Sequence, residues 1–317
     1  MNRGLAVMLS TIALAAAGCG TEPPADETPA GLENGSFTED LNGFNIHYEV
    51  HGKGPVLMTL PNSWGLSLEG LRALYRPLEA HLTMVYFDPR GMGRSGAIRE
   101  DSDMGTAAVR DDFDALRRHL GLDTVDVIGW SNGAMNLILL ASERPETIDT
   151  AIFLHGTARF GPEDMAEYSE KYPEWFAAHA AFQERMSSAE LTVVEQNIAV
   201  REFMIESAFP PSFADRQVAA ENLPRMYANT GFSWAHWQYA NQEFPSFDAT
   251  DKLGAISARS LVLAGAHDSM PVERTEEIHA GIPNSMFKVF ERSGHFAPVE
   301  QPESFEPTVL GFLGVKP

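Results

Sequence analysis

Gly129-Trp130-Ser131-Asn132-Gly133 is the stretch that most narrows what this chain can fold into, because it sits where a buried strand hands over to a helix. Thr124-Val125-Asp126-Val127-Ile128 reads as a short apolar strand bounded by turn residues. Ala134 to Ala141 reads as a helix that starts immediately afterwards. A Gly-x-Ser-x-Gly between two such elements is a strained turn that lifts the serine hydroxyl to the top of a sheet. Side chains in place of the flanking glycines would collide with the neighbouring strand and helix. Without that context the motif carries little weight, since glycine and serine are common.

The rest of the pattern supplies a sheet for the turn to stand on. Ser36 to Leu41, Asn42-Gly43 and Phe44 to Val50 read as a β-hairpin with a tight Asn-Gly turn. Pro55 to Leu60 and Thr83 to Phe87 read as strands, with an amphipathic helix over Leu68 to Leu78 between them. Thr106 to Leu120 is a second helix, with Val109, Phe113, Leu116 and Leu120 on one face. Thr150 to Leu154 is a strand, and after residue 256 the alternation resumes. Strands at Ser260 to Ala264 and Met286 to Phe290 alternate with helices at Val272 to Ala280 and Pro302 to Leu313. This order implies one α/β domain over 33–317: a mostly parallel sheet of eight strands with helices on both faces. Residues 157–250 break the pattern, being rich in helix formers and aromatics, with Pro173, Pro210, Pro211 and Pro224. They read as a helical cap inserted after the sixth strand, over the strand ends.

The N-terminus is expected to lie outside the fold. Arg3 and the apolar run Leu5 to Ala17 have the shape of a signal peptide over 1–18, too short to span a bilayer. Ala16-Ala17-Gly18-Cys19 resembles a bacterial lipobox, which implies cleavage before Cys19 and its lipidation. Cys19 is the single cysteine of the 317 residues, so no intramolecular disulfide can form in the exported setting this implies. Residues 19–32 are Pro-rich and acidic, as expected of a disordered tether holding a soluble domain off a membrane. The lipobox resemblance implies a lipid anchor in the periplasm, at the outer membrane or at the cell surface. Gly20 after the cysteine favours outer-membrane sorting. The net charge of −21, from 23 basic and 44 acidic residues, argues against nucleic acid and against polybasic lipid binding. Membrane contact is thus expected only through the anchor.

A serine hydroxyl needs a base to take its proton, and a histidine base needs an acid to fix its tautomer. Among ten histidines, His295 stands in the loop after the last strand, and Asp268 in the loop after the preceding one. The chain order Ser131, Asp268, His295 is that of triads built on this kind of turn. All three fall at the carboxyl ends of strands, where open α/β sheets gather their chemistry. Read without function, His295 is a turn residue and Asp268 an N-cap for the helix near Pro271. His267 is a competing base, and His155, also at a strand end, a packing or substrate-shaping residue.

From about residue 33 onward the chain resembles the α/β-hydrolase superfamily, in particular its proline iminopeptidase-like (peptidase family S33) branch. Asp88-Pro89-Arg90-Gly91-Met92-Gly93-Arg94-Ser95 resembles the family's turn after the fourth strand, and Gly294 to Glu303 its histidine loop. The resemblance implies an oxyanion hole with one amide from the loop after the third strand. That loop usually carries His-Gly, but here it reads Leu60-Pro61-Asn62-Ser63-Trp64-Gly65. Pro61 has no N–H to donate. The Ser63 amide is the candidate, with the amide of Asn132 as second donor. Trp234-Ala235-His236-Trp237-Gln238 is similar to the family's amine-binding Trp-x-x-Trp-Glu segment, with Gln238 where the glutamate stands. Glu243 is one residue that could replace it. Trp64, Trp130, His155, Trp234, Trp237 and Gln238 are the candidates to touch substrate. Core packing at i, i+3 spacing is the other reading of Trp234 and Trp237.

These residues imply a serine hydrolase that cleaves an ester, lactone or amide through an acyl-enzyme, needing no cofactor and no metal. Its partner is expected to be a small molecule or a short peptide. An aminopeptidase releasing proline or another small residue competes with a carboxylesterase or lactonase. The cap favours the first; the missing glutamate and His-Gly favour the second. Ser131 argues against the epoxide hydrolases and haloalkane dehalogenases of this superfamily, which attack with aspartate. A non-catalytic surface lipoprotein using the fold as a binding module is the reading from another class.

Overall fold

The Asn-Gly turn opens the sheet. In the computed structural model, which describes residues 32–188 and 190–316, β1 (Gly35–Leu41) and β2 (Phe44–Gly52) pair antiparallel. Asn42 and Gly43 between them have φ of 55° and 78°, as a two-residue turn matched to strand twist requires. The signal segment 1–18, Cys19 and the tether up to residue 31 lie outside the described residues.

Six more strands complete one eight-stranded sheet: β3 (Val56–Leu60), β4 (Thr83–Phe87), β5 (Val125–Trp130), β6 (Ile148–Leu154), β7 (Arg259–Gly265) and β8 (Ser285–Phe290). Their spatial order is β1-β2-β4-β3-β5-β6-β7-β8, antiparallel at β1–β2–β4 and parallel from β4 to β8. The inner strands are buried on both faces, as a sheet sandwiched between helices must be. Their alternate residues separate into two cores. Leu57, Met84, Tyr86, Ile128, Ile152 and Leu263 face one side with α1 (Leu68–Tyr75). Met58, Val85, Val127, Phe153 and Val262 face the other with α2 (Gly105–His119) and α3 (Asn132–Glu143).

The helix expected over Leu68 to Leu78 ends at Tyr75 and tightens into a 3₁₀ turn, Arg76–Ala80. Pro77 explains the early stop, because its ring and missing N–H cannot continue an α-helix. Between β6 and β7, among the described residues, come five α-helices and no strand: α4 (Pro162–Lys171), α5 (Pro173–Ser188), α6 (Val193–Phe203), α7 (Arg216–Met226) and α8 (Trp234–Glu243). A π-turn, Met204–Ala208, follows α6. These helices pack onto the first core through Phe182, Phe203, Phe209 and Leu223. After β7 come α9 (Val272–Gly281), α10 (Ala297–Glu300) and α11 (Pro302–Leu313). Among the described residues no helix is long and apolar enough to cross a membrane.

Candidate active site

Ser131 stands between β5 and α3 with φ 57° and ψ −122°, a conformation that non-glycine residues rarely adopt. The chain can turn this sharply because Gly129 and Gly133 leave room. A Cβ on Gly129 would lie 2.4 Å from the carbonyl oxygen of Gly133, and one on Gly133 would lie 2.5 Å from that of Leu60. The Ser131 N–H donates to the Leu154 carbonyl (2.8 Å), and its own carbonyl accepts the Ala134 N–H (2.9 Å). The turn is therefore pinned to both the sheet and the helix, and the strain persists because its surroundings over-determine it.

Asp268 follows β7 and His295 follows β8, so neighbouring strand ends bring them together. His295 Nδ1 lies 2.9 Å from both carboxylate oxygens of Asp268. Oδ1 also accepts the Met270 N–H at 2.9 Å. Burial works to raise the Asp268 pKa, but the His295 and His155 imidazoles outweigh it and hold the carboxyl well below the usual carboxylate range. Asp268 is thus ionised, and His295 faces the same cavity as Ser131. His267, the competing candidate, is exposed and does not line that cavity.

The histidine loop is fastened to the cap. The His295 N–H donates to the Ser212 carbonyl at 2.7 Å, and a Cβ on Gly294 would lie only 2.1 Å from that oxygen. Glu300 accepts the Gly294 N–H (2.8 Å) with Oε2 and the Ala214 N–H (2.7 Å) with Oε1, joining loop and cap through one carboxylate. Trp130 closes the other side by donating its indole N–H to the His295 carbonyl (2.9 Å).

The cavity over Ser131 is about 370 Å³. Its wall is mostly aromatic and thioether: Trp64, Trp175, Phe209, Trp237, Met204 and Met270. Two carboxylates also line it. Asp164 is tied to Arg274 (2.5 Å) and to the Gly161 N–H (2.8 Å), whereas Glu167 is exposed at the rim. Lys171, one helical turn beyond Glu167, adds a cation.

Several expected contacts fall elsewhere. Trp64, Trp130 and Trp237 line the cavity, but Trp234, His155 and Gln238 do not. Trp234 packs edge-on against Phe182 inside the cap, and Gln238 is on the exposed face of α8. Helical geometry separates them: residues 234 and 237 point to different neighbours of one helix, and 238 turns outward. Glu243 does not reach the cavity either. It accepts the Thr106 N–H (3.1 Å) and caps the first turn of α2, with burial raising its pKa.

The Ser63 amide is also already used, because it donates to Oδ1 of Asn132 at 2.6 Å, with the Ser63 hydroxyl on the same oxygen at 2.9 Å. Among the described residues no acceptor takes the next amide, that of Trp64. The role of the Asn132 side chain in holding this loop was hidden in the sequence, where only its backbone stood out. His155, Asp268 and His295 also form a set whose nitrogen and oxygen atoms lie within 4.8 Å, close enough for a metal. Both histidines bring Nδ1 to 2.9 Å from Oδ2 of Asp268, but only that of His295 is in hydrogen-bond geometry.

A strained serine between β5 and α3, with Asp268 and His295 paired after β7 and β8 and a helical insertion between β6 and β7, is the arrangement of an α/β hydrolase. The chain belongs to that superfamily: residues 57–302 match the alpha/beta hydrolase fold family. It is similar to a protein of Rhizobium rhizogenes named as the carbamate hydrolase RutD, 28% identical over 84% of this chain and 97% of the relative. It is also similar to the proline iminopeptidase of Heyndrickxia coagulans, 25% identical over 86% of this chain and 96% of the relative. Among solved structures, an esterase from Exiguobacterium antarcticum superposes with a TM-score of 0.68, at 20% identity over 87% of this chain and 98% of that one. The chain is a hydrolase of this superfamily.

Proposed function

We propose that the protein is a serine hydrolase of carboxylic esters or lactones with a sizeable apolar group, acting through an acyl-enzyme. Ser131 Oγ attacks the carbonyl carbon while His295 takes the hydroxyl proton, and Asp268 supports the resulting imidazolium. The amide of Asn132 stabilises the oxyanion, with that of Trp64 in place of the occupied Ser63 amide. His295 then hands its proton to the leaving oxygen, and water releases the acid by the same route. The observation that carries this reading is the strained Ser131 at the wall of an aromatic cavity that is also lined by His295, itself paired with Asp268.

An aminopeptidase is the second reading, and Glu167 at the cavity rim favours it as a carboxylate able to meet a free amine. Lys171 in the same wall opposes an ammonium there, so the ester reading leads. The wild type should hydrolyse p-nitrophenyl butyrate and be labelled at Ser131 by a fluorophosphonate, and Ser131→Ala should lose both. Absent labelling of the wild type would overturn the serine mechanism. Turnover of proline p-nitroanilide with none of the ester would reverse the order of the two readings. Lipid anchoring at Cys19 belongs to the same proposal, and metabolic labelling with a palmitate analogue, lost in Cys19→Ala, tests it.

A further inference from the structure

His155 directly follows β6 with φ 53°, a backbone region uncommon for residues other than glycine and entered mainly by asparagine, aspartate and histidine. Its side chain is fully enclosed, and each ring nitrogen approaches one polar group. Nε2 accepts the Ala297 N–H at 3.4 Å, and Nδ1 lies 2.9 Å from Oδ2 of Asp268. The His155 and His295 rings lie 5.3 Å apart, with the carboxylate shared between them.

The two contacts require the same tautomer. A nitrogen that accepts an amide N–H is unprotonated, so the proton belongs on Nδ1. A lone pair on Nδ1 would be repelled by a carboxylate oxygen at 2.9 Å, which again places the proton there. The contact is short but bent, since Nδ1 lacks a partner in hydrogen-bond direction. Bonds in a resting catalytic site are often poorly aligned and tighten in the reacting complex. Burial lowers the His155 pKa against the pull of Asp268, so the ring stays neutral beside the charged pair. The other groups facing this pair are Lys171, whose Nζ lies 3.5 Å from the Asp268 carbonyl, Ser269, whose hydroxyl lies 3.4 Å from Oδ1, and the Tyr168 phenol.

We propose that His155 is a positioning residue whose Nδ1–H steadies the second oxygen of Asp268 and so keeps the carboxylate aligned on His295 through the reaction. The proposal rests on the serine hydrolase reading above. A residue that only filled space at the end of β6 would need neither the proton on Nδ1 nor any donor.

The test uses the whole chain with ¹⁵N-labelled histidine, alongside His155→Asn and His155→Phe. Asparagine keeps a donor and tolerates positive φ, whereas phenylalanine keeps the ring shape and loses the donor. Long-range ¹⁵N–¹H spectra of the wild type should show His155 as the neutral Nδ1–H tautomer. His155→Phe should shift the His295 Nδ1–H resonance and lower kcat on p-nitrophenyl butyrate about tenfold, with KM within about twofold. His155→Asn should restore both. An Nε2–H tautomer in the wild type, an unmoved His295 signal and kcat in His155→Phe, or equal losses in both variants would each overturn the proposal. If His155→Phe does not fold, the wild-type tautomer and His155→Asn decide. The tautomer measurement needs no turnover, so failure of the serine reading shows separately, as missing fluorophosphonate labelling of Ser131.

Discussion

Asn132 reaches back from the first turn of α3 to hold Ser63, its Oδ1 accepting the Ser63 N–H at 2.6 Å and the Ser63 hydroxyl at 2.9 Å. One side chain therefore fixes the loop after β3 to the residue that follows Ser131. The Trp64 amide is left without an acceptor among the described residues, so the geometry of both proposed oxyanion donors passes through Asn132.

Removing that tie should damage catalysis more than binding. Asn132→Ala is expected to lower kcat about tenfold with little change in KM, since the loop loses its anchor but the two amides remain. Asn132→Asp should be worse, by about a hundredfold. Its carboxylate can still accept both Ser63 hydrogens, but it sets a negative charge beside the developing oxyanion. Steady-state kinetics on p-nitrophenyl butyrate check the ranking.

The cavity wall makes a prediction about size. Ala208 is buried in the cap and lines the cavity. Ala208→Phe should fill part of that space and lower kcat/KM for p-nitrophenyl octanoate by about tenfold relative to the acetate. Equal losses on both esters would argue that the apolar group is held elsewhere.

His236 ties the cap to the sheet domain, and that tie should titrate. Its Nε2–H donates to the Arg90 carbonyl (3.1 Å), and its Nδ1 accepts from the Ser233 hydroxyl (2.8 Å). Burial pushes its pKa down to about 4, against the smaller raising effect of the Arg90 carbonyl. The unfolded chain thus binds a proton between about pH 6.5 and 4 that the folded one refuses, so stability falls as pH drops through that window. The full effect is about 3 kcal/mol, present above pH 6.5 and lost toward pH 4. Thermal or urea unfolding of wild type and His236→Gln across this range should show the wild type losing more stability on acidification.

Glu243 offers a test between cap chemistry and cap structure. It satisfies the Thr106 N–H at the start of α2 and does not line the cavity. Glu243→Ala should cost about 1 kcal/mol of stability. It should leave the ratio of activities on free-amine and N-blocked substrates unchanged. A change in that ratio would return Glu243 to the binding site.

Much of this architecture was legible because each signal had a single physical cause. The Asn-Gly pair needs positive φ at both positions and so marked the β1–β2 turn. The glycines at 129 and 133 marked a close crossing of strand and helix. Asp268 and His295 could be placed because strand order alone decides which loops meet. Periodicity says which face of a helix is apolar but not which apolar neighbour it meets. Trp234 and Trp237 therefore looked alike, although one packs inside the cap and the other borders the cavity. Backbone donors were harder still. Whether the Ser63 amide is free depends on a side chain 69 positions away, and no local pattern records that. His155 was noticed for ending a strand, but its link to Asp268 exists only once β6 and β7 lie side by side.

The Ser212 carbonyl, which takes the His295 N–H, limits how the insertion can be exchanged. A cap borrowed from another member of the superfamily would arrive with its own wall, but it would also have to present an acceptor at that point. Without one, the base would lose its backbone support while every triad residue stayed in place. Under the proposed mechanism, substrate preference and proton transfer are therefore coupled in part through this main-chain oxygen, and a new specificity is more readily reached from within this cap than by replacing it.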